Sequence, residues 1–330
     1  MAGPLQTIEA VGSHYEIGLE IGRQTREQIH VLAGTLRRTA DDGPDAADAL
    51  ARYMAHVEQY PFILDELRGL ADGAGLPFDA LARIQVVELE RPRPEPDACS
   101  TFVVKNEERL LIGHNEDGRR EDDVFVLRAA YPSGLSVLAL CYVGSLPGHA
   151  PFVNSHGVVS ACNALTCADA RIGEPKRVFC RRVLDARSID DGVELLAAAH
   201  RAQGEHFLLV RGDRTVSIET SATAMSVRKV ETNDYHCNNY LHPPMLRHEA
   251  APESSNTFGR SARAQEVCGE LHTLDDVRAA LSSHERGFCR HRDGRTLACV
   301  LFDCTGKRIL IGHGPPCEAR MQEFTVDWEW

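Results

Sequence analysis

The sequence lacks most of the short motifs that announce a function. It carries eleven cysteines but no C-x2-C pair, so neither the usual zinc hook nor a thioredoxin-like redox motif is visible. It has no G-x-G-x-x-G and no G-x4-G-K-[S/T], so nucleotide cofactors have no motif to hold them. No run approaches the ~20 apolar residues of a membrane span. Met1-Ala2-Gly3-Pro4 lacks the basic and apolar regions of a secretory signal. Trp328-Glu329-Trp330 matches no simple sorting address. Positive charge is in deficit, with 36 Lys and Arg against 48 Asp and Glu and a net charge of −12. A nucleic-acid grip needs the opposite balance. These absences predict a cytoplasmic protein with neither a nucleic-acid nor a membrane partner.

What is present is a chain of 330 residues, 43% hydrophobic and 25% charged. That is enough for one large domain or two ordinary ones with a sizeable core. The cysteines are odd in number, so complete internal pairing is impossible. A chain of this size needs no disulfide staples, and most of the thiols are expected to stay reduced.

The first 90 residues read as helical. Ser13-His14-Tyr15-Glu16 fits a capping box, with Ile17, Ile21 and Ile29 recurring behind it. A polar break at Asp41-Asp42-Gly43-Pro44 precedes a second helical stretch from about Ala46. Pro61 opens a third, and a turn ending at Pro77 leads into a fourth over 78–89. Pro92, Pro94 and Pro96 then deny helix and central strand alike, so 91–98 is predicted to be an extended linker.

From Cys99 onward the period is that of strands. Residues 99–105 and 110–113 form one predicted hairpin around Asn106-Glu107-Glu108, and 124–131 with 136–143 form a second. A strand at 158–163, helices near 178–186 and 189–200, and a meander over 207–230 follow. A helix pair over 259–281 and a last hairpin over 297–311 complete the pattern. Hairpins mixed with helix pairs imply an α+β fold with mainly antiparallel sheets.

Cys99 stands out by its place between the linker and the first strand. A cut between Ala98 and Cys99 would put a thiol and a free α-amine on one residue. An α-amine titrates near 7.7–8.0, so roughly 10–15% is unprotonated at pH 7 and can act as base for its own thiol. On position and composition alone, the plainer reading is the stronger one: a small apolar residue opening a buried strand.

The surrounding motifs add to this. Cys99-Ser100-Thr101-Phe102, a hairpin, and Gly113-His114-Asn115-Glu116-Asp117 resemble the nucleophile region of the acyl-coenzyme A:6-aminopenicillanic acid acyltransferase family. These are cysteine N-terminal-nucleophile (Ntn) hydrolases of the peptidase C45 type. Bile-salt hydrolases and penicillin V acylases are more distant relatives. The resemblance runs over nearly the whole chain. It includes the segment from Gly12 to Gly18, the Asn154-to-Asn163 element, Cys237-Asn238-Asn239-Tyr240, Arg260-Ser261-Ala262-Arg263, Cys289-Arg290-His291 and Gly314-Pro315-Pro316-Cys317.

The resemblance implies a four-layer αββα sandwich. It implies self-cleavage at Ala98–Cys99 into a helical leader, residues 1–98, and a catalytic segment, residues 99–330, that stay together as an αβ heterodimer within one structural domain. It implies amide hydrolysis or N-acyl transfer on a small-molecule amide through an acyl-thioester on Cys99. No cofactor is implied, and acyl-coenzyme A enters only as a possible acyl donor.

The family pattern also assigns roles by position. Asp117 matches the Asp that orients the nucleophile's amine, with an ordinary turn Asp before Gly118 as the plainer reading. Asn163 and Asn238 match the oxyanion-side asparagines, whose amide N–H groups stabilise developing charge without titrating. Asn239 competes with Asn238 through a one-residue slip and, like His114, is a candidate for substrate binding. His114 stands where bile-salt hydrolases carry Arg, which weakens any transfer of their substrate preference. Arg260 matches an Arg beside the nucleophile, where a fixed cation orients an oxygen. Cys289 and His291 are two conceivable metal ligands, but alternation along a strand sends neighbouring residues to opposite faces, so no metal is expected. Two other readings stay open. One is an uncut peptidase-like enzyme pairing Cys99 with His236 or His291, and the other is a non-catalytic binding protein on the same fold.

Overall fold

A computed structural model describes residues 3–39, 44–90, 99–119, 122–292 and 295–330. The proline linker, with Ala98, and Asp41-Asp42-Gly43 of the polar break lie outside the described residues.

The first 90 residues are helical largely where the sequence predicts it, although the one helix expected before the polar break is two. Ser13 caps α1 (His14–Gln24), its hydroxyl accepting from the Glu16 amide while Glu16 Oε2 accepts from the Ser13 amide at 2.7 Å. Next come α2 (Arg26–Thr39), α3 (Pro44–Val57), α4 (Pro61–Ala74) and α5 (Phe78–Glu90). Pro61 sits in the first turn of α4, and Gly75 closes that helix with φ 70°, a left-handed conformation that glycine reaches without a Cβ clash.

One part of the leader is not helical. Residues Thr7–Val11 form strand β1, with Ile8 and Ala10 buried. Five alternating residues are too few for the helical pattern behind them to absorb, and an edge position on a sheet decides the conformation. The glycines of α1 and α4 set another feature. A Cβ on Gly18 would lie 2.1 Å from the Glu66 carbonyl oxygen, and one on Gly69 would lie 2.0 Å from that of Tyr15. The two helices therefore pack backbone to backbone, which only glycine permits.

The strands after the linker are β2 (Ser100–Lys105), β3 (Leu110–Asp117), β4 (Val124–Ala130), β5 (Ser136–Tyr142), β6 (Phe152–Asn154) and β7 (Val159–Leu165). Helices α6 (Lys176–Leu184) and α7 (Ile189–Ala198) precede the meander β8 (Gly204–Arg211), β9 (Arg214–Thr220) and β10 (Met225–Lys229). Then come β11 (Asp234–His236), α8 (Asn256–Val267), α9 (Leu274–Leu281), β12 (Thr296–Asp303), β13 (Arg308–His313) and β14 (Met321–Phe324). The short strands β6, β11 and β14 carry too few residues for a periodic signal and form because a longer strand offers them an edge.

Two sheets result. One has the order β1-β4-β5-β6-β7-β8-β9-β10 and the other β11-β2-β3-β12-β13-β14. Every strand pairing is antiparallel except β1 with β4. Alternation along the strands builds the layers. Phe125, Leu127 and Ala129 of β4 pack into a core with Ile17, Leu67 and Val178 of the leader helices and α6. Val124 and Val126 of the same strand face Ile112, Val300 and Phe302 of the other sheet. Phe102 and Val104 of β2 turn the opposite way, onto Ala264 of α8 and Val277 of α9. The fold is a four-layer αββα sandwich. Among the described residues no helix is long and apolar enough to cross a membrane.

Candidate active site

The hairpin β2–β3 lies inside the six-stranded sheet, with Ser100 opposite Asn115 and Thr101 opposite His114. One residue further, the same register places Cys99 across from Glu116. Period-2 alternation then divides the side chains. Cys99, Thr101, His114 and Glu116 enter the space between the sheets. Asn115 turns to the helix face, where its Nδ2 donates to the carbonyls of Leu281 and Phe288, and Asp117 turns with it.

All three polar groups of Cys99 are held by side chains. Its backbone N–H donates to Asn238 Oδ1 at 2.8 Å. Its carbonyl accepts from Arg260 Nη1 at 2.6 Å. Its thiol donates to Glu116 Oε1 at 3.3 Å. Glu116 is itself anchored, accepting from the Tyr142 hydroxyl at 2.6 Å and facing His114 Nε2 at 3.1 Å. The carboxylate therefore sits at the thiol with both oxygens engaged.

Arg260 joins the parts. It lies on α8, is 1% exposed, and forks to the Cys99 carbonyl, to the Ser100 hydroxyl at 2.9 Å and to Asn238 Oδ1 at 2.9 Å. A planar guanidinium suits three convergent acceptors in a way an ammonium does not. Asn238 is fixed in turn, donating through Nδ2 to the Ala164 carbonyl and through its backbone to Thr257 of α8.

Asn239 points elsewhere. Its Oδ1 accepts from the hydroxyls of Thr257 and Ser261, so the one-residue ambiguity of the sequence resolves with Asn238 at Cys99. Asn163 is one layer away on β7, its Oδ1 accepting from Thr101 and facing His206 Nδ1. Its buried Nδ2 has no hydrogen-bond partner, a donor without an acceptor. His114 is fully buried, with Nδ1 at 2.8 Å from the Thr101 hydroxyl. His236 faces Glu219 Oε1 at 2.9 Å, and His291 lies among Cys289, Cys317 and His284. Neither makes a hydrogen bond to Cys99.

Asp117 makes no hydrogen bond to Cys99 either. Burial pushes its carboxyl up to about 7, against the pull of Thr296, Arg260 and Arg290. A raised carboxyl pKa has a definite consequence for stability. Below pH ~4 the group is protonated whether folded or unfolded. As pH rises towards 7 the unfolded chain ionises first, so the fold loses stability. Asp117→Asn, placed in a Cys99→Ala chain, is expected to stabilise the fold at pH 8 relative to pH 4.5, by about 3 kcal/mol at most. Urea midpoints at the two pH values test this, and a difference that does not change with pH would show that Asp117 is ionised throughout.

Sequence reasoning missed Glu116. The signal was available: counting back from the turn at Asn106 pairs Lys105 with Leu110 and hence Cys99 with Glu116, leaving Asp117 on the far face. Three other buried thiols, on β12, after β12 and just past the C-terminus of α8, are poor nucleophiles. Burial pushes those of Cys299, Cys304 and Cys268 up to about 12, so they stay protonated at neutral pH.

Cys99 and Glu116 border a cleft with about 370 Å³ of empty space, part of it open to solvent. Asp122, Glu205, Lys176 and Arg177 also line it. Lys176 Nζ lies 3.9 Å from Glu205 Oε2, and Arg177 donates to the Ile84 carbonyl and the Ser145 hydroxyl. A cleft lined by both charge signs suits a small polar ligand better than a long apolar one.

A curated relative, the beta-alanyl-dopamine/carcinine hydrolase of Drosophila melanogaster, is 25% identical over 365 aligned residues, spanning 93% of this chain and 92% of its own. Among solved structures, penicillin V acylase from Agrobacterium tumefaciens is 9% identical with a TM-score of 0.42, covering 69% of this chain and 86% of the acylase. A variant of conjugated bile acid hydrolase from Clostridium perfringens is 10% identical with the same score, covering 69% and 97%. The family model described as acyl-coenzyme A:6-aminopenicillanic acid acyl-transferase matches residues 104–316, well over half of the chain. The chain belongs to that family, and with it to the enzymes that hydrolyse amides or transfer acyl groups at amide nitrogen.

Proposed function

We propose that the chain cuts itself between Ala98 and Cys99 and then works as an N-terminal cysteine amidohydrolase, with 1–98 and 99–330 remaining together as an αβ heterodimer. The observation that carries this reading is the threefold grip on Cys99. Asn238 holds its nitrogen, Arg260 its carbonyl and Glu116 its thiol. A cysteine that merely opened a buried strand would need partners for its backbone N–H and carbonyl, but not a carboxyl group at its thiol.

In self-cleavage the thiol adds to the Ala98 carbonyl, and the peptide nitrogen leaves with the proton. This forms a thioester that water hydrolyses, freeing the Cys99 amine and thiol. In turnover the thiol adds to the substrate amide and the α-amine takes its proton. Asn238 holds that amine. The unpartnered Asn163 Nδ2 supplies a donor for the oxyanion. The α-amine then passes the proton to the leaving amine, and water releases the acid from the acyl-thioester. An acceptor amine in place of water would give acyl transfer, for which acyl-coenzyme A is a possible donor. No cofactor enters these steps.

The substrate is proposed to be a small polar amide, supported by the mixed charges of the cleft and by the name of the fly relative. Carcinine and beta-alanyl-dopamine are therefore the first compounds to assay. The reading is tested by intact mass under denaturing conditions. Two fragments meeting at 98/99 are expected, and blocking the new α-amine is expected to remove activity. A single full-length mass, stable for days in reductant with an ordered fold, would sink self-cleavage.

A further inference from the structure

A second cluster lies away from Cys99. Three of its members, His284, Cys289 and His291, come from the segment after α9, and Cys317 comes from the loop between β13 and β14. Their four donor atoms all lie within 4.8 Å of one another. The two Nε2 atoms are 3.0 Å apart and the two Sγ atoms 3.4 Å. Cys317 Sγ is 3.3 Å from His291 Nε2 and 3.6 Å from His284 Nε2, and Cys289 Sγ is 3.7 Å from His291 Nε2.

We infer that these four side chains bind one zinc ion. With Zn–S about 2.3 Å and Zn–N about 2.05 Å, a tetrahedral site has edges of about 3.8 Å for S···S, 3.4 Å for N···N and 3.6 Å for S···N. The five observed separations each lie within about 0.4 Å of the ideal edge, and the N···N edge is the shortest, as a tetrahedral site requires. Two thiolates and two imidazoles in tetrahedral array select zinc over the hard cations. Four protein ligands fill its coordination, so the ion is structural and takes no part in the reaction.

The surroundings support the site. His291 Nδ1 faces Glu318 Oε1 at 3.5 Å, the carboxylate–histidine arrangement that orients a ligating ring. Arg278 of α9 donates to the carbonyls of Pro316 and Ala319 and so holds the Cys317 loop in place. The Cys289 amide donates to the Ser283 carbonyl. Strand alternation, the ground for expecting no metal from the sequence, does not separate this pair, because positions two apart share a face even on a strand. Residues 288–292 form no strand, and Cys289 and His291 are two apart, so both side chains reach one point.

The ion would tie the segment after α9 to the loop between β13 and β14. Arg290, between two of the ligands, acts electrostatically on Asp117, and Phe288 accepts from Asn115 of β3. The clamp thus steadies the helix face behind the nucleophile hairpin.

The full chain, grown with zinc and purified without chelator, is expected to carry about one zinc per chain by elemental mass spectrometry. Cobalt loaded in its place should give the intense visible bands of a tetrahedral site and a sulfur-to-cobalt charge-transfer band. His284→Ala and Cys317→Ser, both at exposed positions, should fold but lose the metal. The inference is overturned if the native chain holds no zinc above the level of Cys317→Ser, if cobalt gives only weak octahedral bands, or if the non-reduced chain is lighter by two hydrogens, showing a Cys289–Cys317 disulfide instead. None of these readouts depends on turnover, so the zinc site and the amidohydrolase reading fail separately.

Discussion

Cys99→Ala is expected to leave one full-length polypeptide with no measurable amide cleavage. Removing the nucleophile of a covalent mechanism costs about a millionfold in turnover when the residues around it act as a unit. Here the loss is double, because the same thiol is proposed to free its own amine. Stability should hardly change, since the substitution removes one sulfur and one hydrogen bond to Glu116, worth about 1 kcal/mol. A folded, uncut, inactive variant by circular dichroism and intact mass is therefore the expected result. If the variant still splits between 98 and 99, an outside protease makes the cut. If it turns over carcinine at the native rate, the nucleophile lies elsewhere. Cys99→Ser refines the test, because a hydroxyl is a weaker nucleophile and should slow both the cut and turnover.

Arg260→Ala should be the most damaging substitution away from the nucleophile. The guanidinium is buried and satisfies the Cys99 carbonyl, the Ser100 hydroxyl and Asn238 Oδ1. Its removal takes a charged donor from three buried acceptors, leaving Asn238 Oδ1 with the Cys99 N–H, and takes a positive charge away from the buried Asp117 carboxyl. A loss of about 4 kcal/mol is expected by urea denaturation, the range for breaking a buried charged network. Arg260→Lys should recover part of the stability but little of the activity. One ammonium cannot span three acceptors in a plane, so Asn238 and Cys99 lose their shared reference. Native turnover in the lysine variant would show that charge alone suffices and that the fork has no positioning role.

How much of this was legible depends on distance along the chain. The capping box at Ser13, the start of α4 at Pro61 and the hairpin turn at Asn106 all depend on residues a few positions apart, and the sequence predicts each in place. β1 was missed because its pairing with β4 joins segments more than a hundred residues apart. The α1–α4 contact was missed for a similar reason. Gly18 and Gly69 look like ordinary helix-weakening glycines until the two backbones are seen to touch. At the candidate site, Asp117 drew attention by the family pattern, yet hairpin register gives the thiol to Glu116. Register is a local property, and applying it strictly would have exposed Glu116 beforehand.

The sequence by itself determined the longer helices and hairpins, the α+β class and the place of Cys99 between a proline linker and a strand. Those follow from backbone stereochemistry and from the alternation of apolar residues, which act over a few positions. The tertiary structure alone decided which side chains meet. It chose Asn238 over Asn239, brought Arg260 from α8 to the carbonyl of Cys99, and gathered His284, Cys289, His291 and Cys317 from two loops. Such meetings depend on how four layers stack and on which face of each strand looks inward, and no window of neighbouring residues contains that information.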